Sequence, residues 1–246
     1  MLSYTRMKIA EITTNLINLV YPLHCASCSK PLDPESASGV CDFCLAQIKP
    51  NPIPQCAICG RAIDSGLEIC DDCRTSKPCF SKASSVFLYE GVIKELIHKF
   101  KYNGKVSLAR TLSGLIVDFL RNNNTLLAGI DRIAFVPMES ARLRNRGFNQ
   151  SRMLAMDISK RYGMPVSDYL DKKKQTRHQN ELSRDERLVN LNGAFRVKDK
   201  VDRLTDKNIL ILDDVMTTGA TLNECAKALL SSGAKEVRCL TLARGL

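Results

Sequence analysis

The stretch Asn208-Ile-Leu-Ile-Leu-Asp-Asp-Val-Met-Thr-Thr-Gly-Ala-Thr221 decides the fold. Asn208 to Leu212 reads as a continuous buried run, the mark of a central strand in a parallel sheet. It delivers Asp213 and Asp214 at its carboxyl end, where open α/β sheets place their ligands. Val215, Met216, Thr217, Thr218, Gly219, Ala220 and Thr221 then form a Thr/Gly loop that runs into a helix. Backbone N–H groups at that helix start, with the positive end of its dipole, make an anion site. Gly219 removes the Cβ that would keep a phosphate away from the backbone, and the threonines add hydroxyl donors. Two acids are poor neighbours for a phosphate unless a sugar or metal lies between. Carboxylates accept hydrogen bonds from vicinal ribose hydroxyls, so the run fits a ribose 5-phosphate. A strand ending in solvated acids before a Thr N-cap would explain one of these residues, but not all of them in this order.

Working outward, apolar and polar periodicities alternate. Short strands are expected at Ser85–Tyr89, Ile130–Met138 and Glu236–Leu242, and helices at Val92–Tyr102, Ser107–Leu120, Asn149–Tyr162 and Thr221–Ser232. Asn103-Gly104, Gly163 and Gly233 act as helix stops. Strands alternating with helices predict an α/β fold with a mostly parallel sheet.

The amino-terminal third has a different character. Eight of the 11 cysteines form four Cys-x-x-Cys pairs: Cys25/Cys28, Cys41/Cys44, Cys56/Cys59 and Cys70/Cys73. Two such knuckles across a short loop close a tetrahedral thiolate site around Zn²⁺, so two structural zinc ions are expected. Pairing in sequence order is the simplest arrangement, with an interleaved one also open. Four pairs in series do not suit a thioredoxin-like redox motif, and ferredoxin spacings are tighter. Disulfides do not suit a chain read as lacking a signal peptide. The segment is too poor in large apolar residues to fold on its own core, so metal must supply the folding energy, of order 10 kcal/mol per site. Cys225 and Cys239 read as small buried hydrophobes, and His24 as a turn residue.

Apolar residues make up 44% and charged residues 25% of 246, ordinary values for a globular chain large enough for two domains. No apolar run reaches the ~20 residues of a membrane span. The apolar spacing of Ile9–Leu23 suits an amphipathic docking helix, and a cytoplasmic protein is expected. The formal charge of +10 is uneven: residues 1–83 hold 8 basic and 8 acidic side chains, whereas 141–187 hold 12 basic and 6 acidic. A polyanion would feel the strongest field along 141–187. Eight thiolates around two Zn²⁺ make the cysteine module anionic, which suits a structural role.

The Asp213 run resembles the phosphoribosyl pyrophosphate (PRPP) signature of type I phosphoribosyltransferases. The chain as a whole resembles the ComF family of competence-associated proteins. The likeness is carried by Lys101-Tyr-Asn-Gly104, Val136 to Gln150, Thr176-Arg-His-Gln179, Asn190-Leu-Asn-Gly-Ala-Phe195 and the Asp213 run, preceded by tandem zinc knuckles. The resemblance implies an amino-terminal helix (1–24), a double zinc-ribbon module (25–80) and a type I phosphoribosyltransferase-like domain (84–246). It implies PRPP bound with Mg²⁺, and a pyrophosphate loop at Pro137, Met138, Glu139 and Ser140. Arg142 and Arg146 would lie near the leaving group, and Lys174, Thr176 and Gln179 in a loop over the 1-position. Its implied partners are single-stranded DNA, contacted along 141–187, and a helicase-like competence protein. The alternative is a metabolic phosphoribosyltransferase, yet no segment reads as a nucleobase or amine acceptor site. No catalytic residue is assigned. Arg142, Arg144 and Arg146 alternate and would share a face only in an extended chain. Lys101 and Tyr102 have a plain reading as core-packing residues, and Lys172–Lys174 as a solvated loop.

Overall fold

The computed structural model describes residues 23–33, 38–173, 191–199 and 204–245. Four parallel strands form the central sheet: β1 (Lys82–Leu88), β2 (Arg132–Phe135), β5 (Asn208–Met216) and β6 (Glu236–Arg244), in the order β1-β6-β5-β2. Strands β3 (Leu170–Lys172) and β4 (Phe195–Val197) form a separate antiparallel pair. The helices are α1 (Asp42–Ala46), α2 (Asp71–Thr75), α3 (Gly91–Tyr102), α4 (Leu108–Asn122), α5 (Ser140–Arg146), α6 (Gln150–Tyr162) and α7 (Ala220–Ser231).

Period-2 alternation along β5 splits the core between two faces. Leu210 and Leu212 join Ile93, Leu96, Ile97 and Phe100 of α3 and the buried stripes of α4 and α6. Ile209 and Ile211 face the other way, onto Leu222, Cys225 and Leu229 of α7. Each fully buried aliphatic or Phe side chain contributes about 1.5–3 kcal/mol relative to exposure, so α3 is held chiefly by its four core residues. Local signals fix the ends of α6: the Asn149 side chain accepts from Arg152 N at 3.1 Å, and Gly163 closes the helix at φ +67.

Two expectations need correcting. The strand expected over Ile130–Met138 covers only Arg132–Phe135. Val136 N still donates to Leu212 O at 3.0 Å, but Pro137 has no N–H and the chain turns away. β5 does not stop at Leu212; it runs through both acids to Met216, because Asp213–Met216 pair with Thr241–Arg244. Residues Ser140–Arg146 form a helix, so the extended stretch in which Arg142, Arg144 and Arg146 would share one face is not formed.

The cysteine module is fused to this core. Cys25, Ala26, Val40 and Cys44 belong to the α3 layer, and Cys56, Cys59, Cys70 and Cys73 to the α7 layer. Its linker lies along the free edge of β1: Leu88 N donates to Lys49 O at 3.1 Å and Asn51 N to Val86 O at 3.0 Å. Among the described residues no helix is long and apolar enough to cross a membrane. The expected helix over Ile9–Leu23 lies almost wholly outside the described residues.

Candidate functional site: a phosphate-loop cleft and two four-cysteine centres

A cleft of about 790 Å³ opens at the carboxyl ends of β2 and β5. Every residue from Asp213 to Thr221 lines it, together with Pro137, Met138, Glu139, Arg142 and Arg146. Ser140 is exposed and does not line it. Lys174, Thr176 and Gln179 lie outside the described residues.

The loop keeps its donors available. Among the described residues, the amides of Thr217, Thr218 and Gly219 donate to no other group, while Ala220 N turns back to Thr218 Oγ1 at 3.3 Å. Gly219 sits at φ +84, immediately before α7. A Cβ there would lie 2.6 Å from Met216 Cε, the movable end of a flexible side chain, so it is the left-handed backbone that calls for glycine.

The two acids stand in different electrostatic settings. Asp213 Oδ1 accepts from Ser151 Oγ at 2.8 Å and from Asp214 N at 2.9 Å. Burial and the neighbouring Asp214 nevertheless push its pKa up to about 7, against the lowering effect of Ser151 and Lys101. Asp214, buried, pairs instead with Lys101 Nζ at 2.8 Å. Burial works against the Lys101 charge, but Asp214 outweighs it and raises the lysine above its usual value. Lys101 is therefore a cleft residue, and its plain reading as core packing is overturned.

Helix geometry re-sorts the arginines. Arg142 and Arg146 are four residues apart on α5 and share the cleft face, whereas Arg144 is exposed. Arg146 stacks over the Tyr102 ring at 4.9 Å. Lys172, whose plain reading is a solvated loop, lies on β3 with its side chain only 9% exposed, 4.0 Å from Glu139. Burial lowers its pKa, partly offset by Glu139. Sequence reasoning also missed Tyr89, Asn149, Gln150, Ser151 and Phe195 as lining residues. The stretches Lys101–Gly104 and Val136–Gln150 carried a signal for several of them, but β3 and β4 gave none.

The cysteines resolve into Cys25/Cys28/Cys41/Cys44 and Cys56/Cys59/Cys70/Cys73, each with its sulfurs within 4.8 Å of one another. This is the sequence-order pairing. A tetrahedron with Zn–S of ~2.3 Å has an S–S edge of ~3.8 Å, and Cys28–Cys41 and Cys59–Cys70 are both 3.7 Å apart. Cys41 N points at Cys25 Sγ (3.3 Å) and Cys70 N at Cys56 Sγ (3.4 Å). Such N–H donors favour thiolate: burial pushes Cys25 and Cys56 up, yet the surrounding amides bring both down to about 6. Each cluster fits a structural zinc ion. His24 and Cys79 belong to neither cluster, and Cys225 and Cys239 are fully buried.

Fold, cleft and cysteine centres together define a phosphoribosyltransferase-type α/β domain carrying a double zinc ribbon. Residues 149–246 match the phosphoribosyl transferase domain and residues 16–74 the double zinc ribbon domain. Competence protein F of Haemophilus influenzae is 30% identical over 84% of this chain and 91% of its own length. DNA utilization protein YhgH of Escherichia coli K12 is 32% identical over 93% of this chain and 100% of its own. Competence protein ComFC of Streptococcus pneumoniae is 29% identical over 65% and 67%. The chain belongs to the ComF family.

Proposed function

We propose that the cleft binds PRPP, and that the protein acts in the handling of incoming single-stranded DNA, as the names of its relatives suggest. The observation that carries the ligand reading is the juxtaposition of unsatisfied loop amides with two acids at one strand end. The 5-phosphate is received by the amides of Thr217, Thr218 and Gly219 and by the start of α7. The ribose 2- and 3-hydroxyls donate to Asp213 and Asp214, so Lys101 must share Asp214 with the sugar. The pyrophosphate lies toward Pro137–Glu139, with Arg142 and Arg146 on α5 as its cationic partners. Magnesium supplies charge neutralisation on that group and is held mostly through the ligand's own oxygens.

The DNA reading rests on the family and on α5, which has no buried residue and presents Arg144 to solvent beside the cleft-facing Arg142 and Arg146. Calorimetric titration of PRPP with Mg²⁺ should give a saturable heat for the wild type. Asp213→Asn/Asp214→Asn should weaken it tenfold or more; no heat from the wild type would overturn the ligand reading. Single-stranded DNA should bind with log K falling linearly in log salt, by about 0.7 per phosphate contacted. Salt-insensitive binding, or none, would remove the DNA reading and leave the ligand reading standing.

A further inference from the structure

Arg244 ends β6 and is 3% exposed. A buried guanidinium is costly unless its charge is answered, yet no carboxylate lies within ion-pairing distance of it among the described residues. Its partners are Cys59 O (Nη1, 2.6 Å), Cys59 Sγ (Nη2, 3.8 Å) and Met216 Sδ (Nη1, 3.4 Å). Cys59 belongs to the second four-cysteine cluster. Four thiolates around one Zn²⁺ carry a net double negative charge, which supplies what the guanidinium otherwise lacks.

The other end of this arrangement is the phosphate loop. Met216 and Arg244 are register partners across β5 and β6, and Gly245 N donates to Met216 O at 2.9 Å. The Met216 methyl lies directly beneath Gly219. Phe80 and Cys79, just after the second cluster, also reach this place. Phe80 Cζ lies 4.0 Å from the position of a Gly219 Cβ, and Cys79 N donates to the side chain of Asn223, whose own N–H closes on Gly219 O.

We infer that Arg244 is the counter-ion of the second zinc–thiolate centre and the positioning residue through which that centre holds the phosphate loop. The loop half of this inference rests on the proposed PRPP reading; the zinc half does not. Side chains that bond to metal ligands typically change metal affinity about 10–100-fold when removed.

The test is zinc release from the full-length zinc-loaded protein to a chromophoric chelator, in the wild type, Arg244→Gln and Arg244→Lys, with PRPP titration in parallel. Arg244→Gln should release one of two zinc ions about tenfold or more faster, leave the other unchanged, and weaken PRPP by a comparable factor. Arg244→Lys restores the charge without the two-pronged geometry, so it should recover zinc retention more than PRPP affinity. Should Arg244→Gln fail to fold, the lysine variant decides alone: wild-type zinc release with weakened PRPP supports the inference. Two zinc ions released at wild-type rates from Arg244→Gln would overturn the counter-ion role. Faster zinc release with unchanged PRPP affinity would overturn the link to the loop. A wild type that binds no PRPP would remove the ligand reading while leaving the zinc arm intact.

Discussion

Asp213→Asn should make the protein more stable, by an amount that grows with pH. Both hydrogen bonds to Asp213 are accepted by Oδ1, from Ser151 Oγ and Asp214 N. An asparagine keeps that accepting oxygen and replaces the charged Oδ2 by a neutral NH2. In the folded state burial and Asp214 raise the carboxyl to about 7 from the ordinary 3.8. A raised acid favours folding fully below pH 3.8, and that contribution is lost as pH climbs to and through 7. Each pKa unit corresponds to 1.36 kcal/mol, so the whole penalty is about 4 kcal/mol in the wild type at high pH. Linkage with these two values makes the change between pH 6 and pH 8.5 about 1.4 kcal/mol. At ~2–4 °C per kcal/mol for a chain of this size, the melting-temperature gap should widen by about 3–6 °C over that interval. Urea denaturation at both pH values, with zinc content verified, reads this directly. Parallel pH profiles for the two proteins, or a variant less stable at every pH, would refute the reasoning. The same variant should lose PRPP affinity, because a binding site stores a destabilised charge for its ligand.

Lys101→Met leaves Asp214 as an unpaired carboxylate in a buried setting, which should cost about 3 kcal/mol by thermal denaturation; adding Asp214→Leu should recover most of it. Gly60→Ala should destabilise by about 2 kcal/mol or more in urea, because Gly60 lies at φ +67 and the new Cβ would meet Ala83 O at 2.7 Å. That contact is backbone and has little room to yield. Metal analysis should return two zinc ions per chain, and Cys28→Ser should reduce the count to one while sparing the second centre. A count of two in that variant would contradict the observed grouping of the cysteines.

Much of this was legible in the sequence, for a physical reason. The Asp213–Thr221 run is local: strand, acids, glycine and helix start are neighbours in the chain, so their order in sequence is their order in space. The cysteine spacing is local in the same way, since each knuckle and its partner lie within twenty residues. What escaped the reading is non-local. Lys101 meets Asp214 across more than a hundred residues, and nothing in its own helix announces the partner. Lys172 and Phe195 reach the cleft through a three-residue antiparallel pair, too short to leave a periodicity. At Arg142–Arg146 the sequence leaves the conformation open, since the three arginines would share a face only in an extended chain. The chain instead forms a helix closed by Gly147 at φ +82, and the same spacing then places two arginines inward and one outward.

The placement of the two ribbons explains why a chain of this length carries eight thiolates. A parallel sheet needs cover on both faces, and its outer strand β1 needs cover along its edge. The first ribbon extends the helical layer: Ser27 Oγ donates to Glu95 at 2.8 Å, and Lys99 reaches the Ala26 carbonyl. Both contacts fall on α3, at Glu95 and Lys99, six and two residues before Lys101. The second ribbon extends the opposite layer beneath Met216 and meets β1 through Ala83 N to Ile58 O at 2.6 Å, while the linker between the ribbons closes the β1 edge. The wall that presents Lys101 therefore stands on one four-cysteine cluster, and the floor that presents the loop amides stands on the other. Since the ribbons bury few large side chains of their own, a zinc ion held at each cluster would supply the rigidity on which the cleft rests.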